Sequence, residues 1–406
     1  MKKNLARIFL SRSTSSLYAG CQFLLLYGVL PPQTSAHFIL ALMCVGFIPL
    51  ADLTLSVNST AFRQHAGSNP SFVTGLILAL CGLTIFSATI VLAITTLVIR
   101  SDPHSALSTT FFYTMSLVVT INMAIPLFHE CGQAYTKALK FMAFADLTAL
   151  VLGILVALYY PEQALVVAVV TRLLFSLLSL LRVGGKASLK QLPAAMRWWG
   201  NQIKSRPRFI AIQVISVAAG AALFSFPAVF LMSSAGHHNF VQFALAISLT
   251  NIIVSLLSSF FSARTDVLIQ AASGSILHER LQQARHTLRR VFVFYAPLSI
   301  AAMIFLLLLN KWIAEYMNIK VFSAFSPEVT AIALFAGFFN LCSQVVAMGQ
   351  RIRGFDSFAL PAFMFGVINI TAIYHFGTSA FSVALIAACI SIAGFASGAV
   401  FFRRAA

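Results

Sequence analysis

The stretch Arg182 to Arg208, RVGGKASLKQLPAAMRWWGNQIKSRPR, carries seven basic residues and no acid, and glycine and proline punctuate it. The chain before it and the chain after it are apolar and of similar length. A basic segment between two apolar halves belongs on the cytoplasmic face of a membrane, because Lys and Arg resist translocation. Trp198 and Trp199 suit an anchor at headgroup level. This reading predicts an N-terminal lobe over residues 1–183, a cytoplasmic basic linker over 184–208 and a C-terminal lobe over 209–406.

Composition supports the same class. Of 406 residues, 59% are hydrophobic and only 9% charged, too few charges to cover a soluble surface. The net charge of +17 lies between apolar runs, where topology accounts for it and nucleic acid does not. Cys21, Cys44, Cys81, Cys131, Cys342 and Cys389 sit in or beside apolar runs without a Cys-x-x-Cys pair, so neither disulfides nor a metal site is expected. The fold class is therefore an all-α polytopic membrane protein.

Runs long enough to cross about 30 Å of hydrocarbon number twelve, six in each half. The first is expected at Ser15–Leu30, short by itself and extended by Ile8–Thr14, the second at Ala36–Phe62, the third at Phe72–Ile99 and the fourth at Ala106–Phe128, with helix continuing towards Tyr135. The fifth and sixth are placed at Phe141–Tyr160 and Ala164–Leu181. After the basic stretch come Phe209–Ser233, Asn239–Ala263, Val291–Leu309, Val329–Met348, Phe358–Phe376 and Ser379–Phe402. With this count and both termini inside, 23 of the 27 basic residues fall on the cytoplasmic side and three outside. Short matches in a common order, such as Phe38-Ile-Leu-Ala-Leu with Phe243-Ala-Leu-Ala-Ile, make the halves a weak parallel repeat.

The remaining basic residue is Arg172, in the middle of VVAVVTRLLFSLLSLL. A charge at that depth faces a cavity or pairs with a carboxylate, such as Asp146 in the fifth span. Asp52 lies in the second span with Arg63 three turns on, and Glu130 ends the fourth. Arg12 precedes the first span and Arg264 ends the eighth. No catalytic constellation, nucleotide-binding loop or cofactor motif is present in the sequence, so the chain is not expected to be an enzyme or an ATP-driven pump.

The order Arg12-Ser-Thr-Ser-Ser, Tyr27-Gly, Phe47-Ile-Pro-Leu-Ala-Asp52-Leu-Thr-Leu, Ala61-Phe-Arg63-Gln-His-Ala and Cys131-Gly-Gln resembles the O-antigen flippase type. That type is the polysaccharide branch of the multidrug/oligosaccharidyl-lipid/polysaccharide exporter superfamily. The sequence departs from the pattern at Thr54 and at Phe226-Pro227. The resemblance implies two six-helix lobes around a central cavity in a bacterial inner membrane. It also implies transport of an undecaprenyl-pyrophosphate-linked oligosaccharide to the periplasmic leaflet for lipopolysaccharide synthesis. On that reading Arg12, Arg63, Arg264 and Arg172 meet the pyrophosphate, because guanidinium pairs phosphate oxygens in a fork. Asp52, Asp146 and Glu130 are the coupling or structural acids. Partners are the lipid-linked oligosaccharide, membrane lipids, and a polysaccharide polymerase with its chain-length machinery. The alternatives are a multidrug exporter of the same fold and a membrane polymerase or glycosyltransferase.

Overall fold

The computed structural model describes residues 14, 18–20, 22, 29–53, 55, 62, 65–99, 106–236, 238–251, 293, 297, 301, 304, 326–352 and 359–404. Regular structure among them is helical throughout. Hydropathy requires this, since hydrocarbon offers backbone amides no partner and a helix satisfies its own. Six stretches among the described residues are long and apolar enough to cross a bilayer: Thr34–Ala51, Pro70–Leu97, Ala106–Cys131, Gln133–Ala157, Pro161–Gly184 and Ala380–Ser397. The chain is a multi-pass, all-α membrane protein.

By contacts it forms two compact units, one of Leu17–Ala221 and one of Ala222–Ala406 with Met1–Ser16. In the first, the second span is α1 (Pro32–Val45) followed by α2 (Ile48–Ala51). The expected continuous helix to Phe62 is thus interrupted. Gly46 and Phe47 donate to Met43 and Cys44 in tightened turns, and Pro49 has no N–H with which to extend the α1 ladder. Leu53 follows with φ of 52°, the one non-glycine in the left-handed region among the described residues.

The third span is α3 (Pro70–Ile99) and the fourth is α4 (Ala106–Ala124), which tightens into a 3-10 segment, Ile125–Cys131. Gly132, at φ 56°, then turns the chain into α5 (Gln133–Ala157). Residues 133–140 therefore begin the fifth span and do not prolong the fourth. The sixth span is α6 (Pro161–Gly184), which packs along α5 and also against α3 and α4. At the α3–α6 crossing Ser71 donates to the Gly184 carbonyl at 2.5 Å, and a Cβ on Gly184 would overlap the Thr74 side chain.

The basic stretch is not an open loop. It folds into α7 (Ala187–Lys190) and α8 (Leu192–Ser205), both packed on α3. Ala195 and Trp199, one turn apart on α8, are buried in a cluster with Phe62, Leu76 and Leu80. The Trp199 indole N–H donates to the Leu76 carbonyl at 3.2 Å, and the Phe62 ring meets Trp198, Trp199 and Phe209 edge-on. Trp199 thus anchors α8 to protein and not to lipid headgroups, because its one donor is satisfied inside.

The chain leaves through α9 (Pro207–Ser234), which contains Pro227. In the second unit α10 (Pro327–Ile352) and α11 (Ala359–Phe376) both pack against α12 (Ala380–Arg404). Buried Asn369 of α11 donates to the Ala222 carbonyl at 2.9 Å. Asn239 donates to Ala235 and accepts from the first amide of α12, at Ala380.

Candidate functional site

Four polar side chains meet in the apolar interior of the first unit. Arg172 lies halfway along α6, and Asp146 halfway along α5. Arg172 Nε stands 2.5 Å from Asp146 Oδ1, with both side chains at or below 5% exposure. The Tyr18 ring lies under the guanidinium, its centroid 4.3 Å from Arg172 Cζ. Gln22, one turn on, donates from Nε2 to the Tyr18 hydroxyl at 3.1 Å. Tyr18 and Gln22 are buried as well.

The electrostatics follow from depth. An unpaired guanidinium or carboxylate at the centre of a span is costly, and the two together cancel each other's field. The aromatic face adds a cation–π contact, which is stronger where water is absent. The arrangement therefore stores a charge pair without exposing it, and joins α5 and α6 to the segment that holds Tyr18. Ser176, one turn beyond Arg172, is buried on the same side.

Arg172 and Asp146 are the pair of expected residues that the structure brings together. Asp52 follows α2 and is fully buried. Glu130 is half-exposed at the end of the 3-10 segment, with His129 Nδ1 3.5 Å away. Arg12, Arg63 and Arg264 lie outside the described residues. Tyr18 and Gln22 were not singled out from sequence as site residues. Their signal was available as two polar groups four apart in an apolar run, which places them on one helix face.

A second polar contact lies where α8 ends. Arg206 Nη2 is 2.6 Å from His65 Nε2, tying the chain after the second span to the α8–α9 junction. Burial, and then the Arg206 charge, lower the pKa of His65 below its usual value. The neutral ring is the form that accepts the guanidinium hydrogen.

No family model matches the sequence, and no curated protein matches it. Solved structures do match its fold. The lipid II flippase MurJ in an inward closed conformation superposes with a TM-score of 0.64 at 13% identity, covering 99% of this chain and 88% of that one. A MOP-superfamily transporter from Pyrococcus furiosus, described as having reversed binding-pocket polarity, gives 0.59 at 14% identity over 99% and 96%. An inward-facing multidrug resistance MATE transporter gives 0.57 at 15% identity over 96% and 95%. The chain has the fold shared by MATE and MurJ transporters of the MOP superfamily.

Proposed function

We propose that this protein is a flippase that moves an undecaprenyl-pyrophosphate-linked oligosaccharide from the cytoplasmic to the periplasmic leaflet of a bacterial inner membrane. The observation that carries the reading is the state of Asp146. A cation exporter needs an accessible carboxylate at mid-membrane, and this one is already neutralised by Arg172. A sugar–pyrophosphate cannot cross hydrocarbon bare, because unpaired buried charge is prohibitively costly.

On this reading Arg12, Arg63 and Arg264 are the residues that pair with pyrophosphate, and Arg172 with Asp146 holds the N-terminal lobe together. The lobes are residues 1–183 and 209–406, both termini are cytoplasmic, and the glycan polymerase acts on the exported product. The cargo belongs to cell-surface polysaccharide synthesis of the O-antigen kind. The test is glycan export in cells that carry Arg63→Ala, Arg264→Ala or both, with the amount of membrane protein measured alongside. The expected result is lost export at unchanged protein level, with partial recovery in Arg63→Lys, since an ammonium lacks the guanidinium fork. Normal export in the double variant would reject this assignment of Arg63 and Arg264.

A second reading, export of small molecules or drugs, is favoured by the MATE transporters among the solved structures that share this fold. Drug efflux that survives Arg63→Ala/Arg264→Ala, in cells with no glycan phenotype, would select it.

A further inference from the structure

We infer that the outward side of α7 and α8 is a binding platform for anionic phospholipid headgroups, built into the edge of the first unit. The inference does not depend on the cargo.

Depth comes first. α3 has 30 residues, so it is about 45 Å long against roughly 30 Å of hydrocarbon. Centred in the bilayer, it overhangs by about 7 Å at each end. The α7–α8 pair is docked on α3 at Gly75 and Leu76, about 8 Å from the helix start at Pro70. A Cβ on Gly75 would lie 3.2 Å from Gln191 Cβ and 3.3 Å from the Ser188 carbonyl oxygen, so the contact is close and the depth is fixed. Both short helices therefore ride at the boundary between acyl chains and phosphates.

Charge and exposure complete the case. Ala195 and Trp199 take the inner face of α8, while Arg197 and Lys204, two turns apart, stand together on the outer one. Lys186 and Lys190 are exposed on and beside α7. Among them sit two large apolar side chains, Leu189 at 60% exposure and Met196 at 61%. No acid occurs in the sequence between Glu162 and Asp266, and among the described residues no ion pair involves the ridge. Basic heads interleaved with apolar side chains at this depth match a lipid phosphate above an acyl chain. At this depth the exposed Leu189 and Met196 meet acyl chains, which a soluble acidic partner would have to displace.

The test uses the full-length protein with Trp312→Phe, which leaves Trp198 and Trp199 as the only indoles, both on α8. It is reconstituted in vesicles of phosphatidylcholine with a minor fraction of phosphatidylglycerol. Bromine is carried on the acyl chains of either the phosphatidylglycerol or an equal amount of the phosphatidylcholine. Brominated phosphatidylglycerol is expected to quench the tryptophans about twofold more strongly, an excess that falls with added salt. Lys186→Gln/Lys190→Gln/Arg197→Gln/Lys204→Gln should bring the two lipids level, with Arg197→Gln/Lys204→Gln in between as the milder variant. Equal quenching by both lipids in the parent overturns the platform. So does an excess that persists in the fourfold variant, which would put the lipid at another site. Equal quenching with capture of the protein on polyglutamate resin would assign the ridge to an acidic protein instead.

Discussion

Two arginines in the first unit meet polar side chains under opposite conditions. Arg172 lies at the middle of α6, sealed against Asp146 and Tyr18. Arg206 lies at the end of α8, half-buried, and reaches neutral His65. In the first place the surroundings offer no water, so the partner must carry the opposite charge. In the second, water screens the guanidinium and the hydrogen bond only adds to what solvent supplies. The basic ridge beside Arg206 extends the contrast, because Lys190, Arg197 and Lys204 remain exposed. Depth, more than residue type, decides whether a charge must be paired.

The largest predicted effect breaks the deep pair. Arg172→Leu removes the cation beside buried Asp146, which costs about 3–5 kcal/mol and should deplete folded protein from the membrane. Asp146→Asn should do similar harm by removing the carboxylate that balances the buried arginine. The double variant should recover most of the folded protein, since a pair removed together leaves no stranded charge. Fluorescence size-exclusion profiles of the three variants give the answer, and a double variant no better than either single would refute the pairing.

Next in size is the aromatic anchor that holds the shallow region in place. Trp199→Ala should cost about 3–4 kcal/mol, from lost burial and a lost donor to Leu76. Trp199→Phe should cost distinctly less. Thermal melts in detergent compare them, and equal melting temperatures for both variants and the parent would mean that α8 contributes nothing to the fold.

Gly184→Ala tests the packing between the two depths. The new Cβ overlaps Thr74, so a loss of about 1–3 kcal/mol is expected. Thr74→Ala in the same chain should relieve it, and a Gly184→Ala melt identical to the parent would show that α3 and α6 can part at no cost.

The smallest effect belongs to His65. Its folded pKa lies below the unfolded one, so the unfolded chain binds more protons as pH falls below about 6.5. The contribution of this contact is therefore present above that range and is lost as pH drops through it. His65→Gln should flatten this small pH dependence between about pH 5 and 7. A melting temperature with the same slope in parent and variant would remove His65 from the account.

Much of this was legible in the sequence because a membrane penalises charge so heavily. Apolar runs of spanning length had to be helices, and Pro70, Pro161 and Pro207 mark where three of them begin. Arg172 in an apolar run had to find a partner, and Asp146 was the carboxylate at matching depth, as the structure shows. Tertiary structure alone decided the rest. These helices are apolar all round, so their pattern does not say which face packs and which meets lipid. Whether Tyr18 would lie on Arg172, and whether Trp199 would turn inward to Leu76, depended on neighbours far along the chain. The interruption at Gly46 and Pro49 and the reversal at Gly132 are backbone events inside or beside apolar runs, where hydropathy does not register them. Sequence determined which residues had to leave water and which charges had to be paired. The packed structure decided which groups meet, because that depends on how helices face one another and not on their composition.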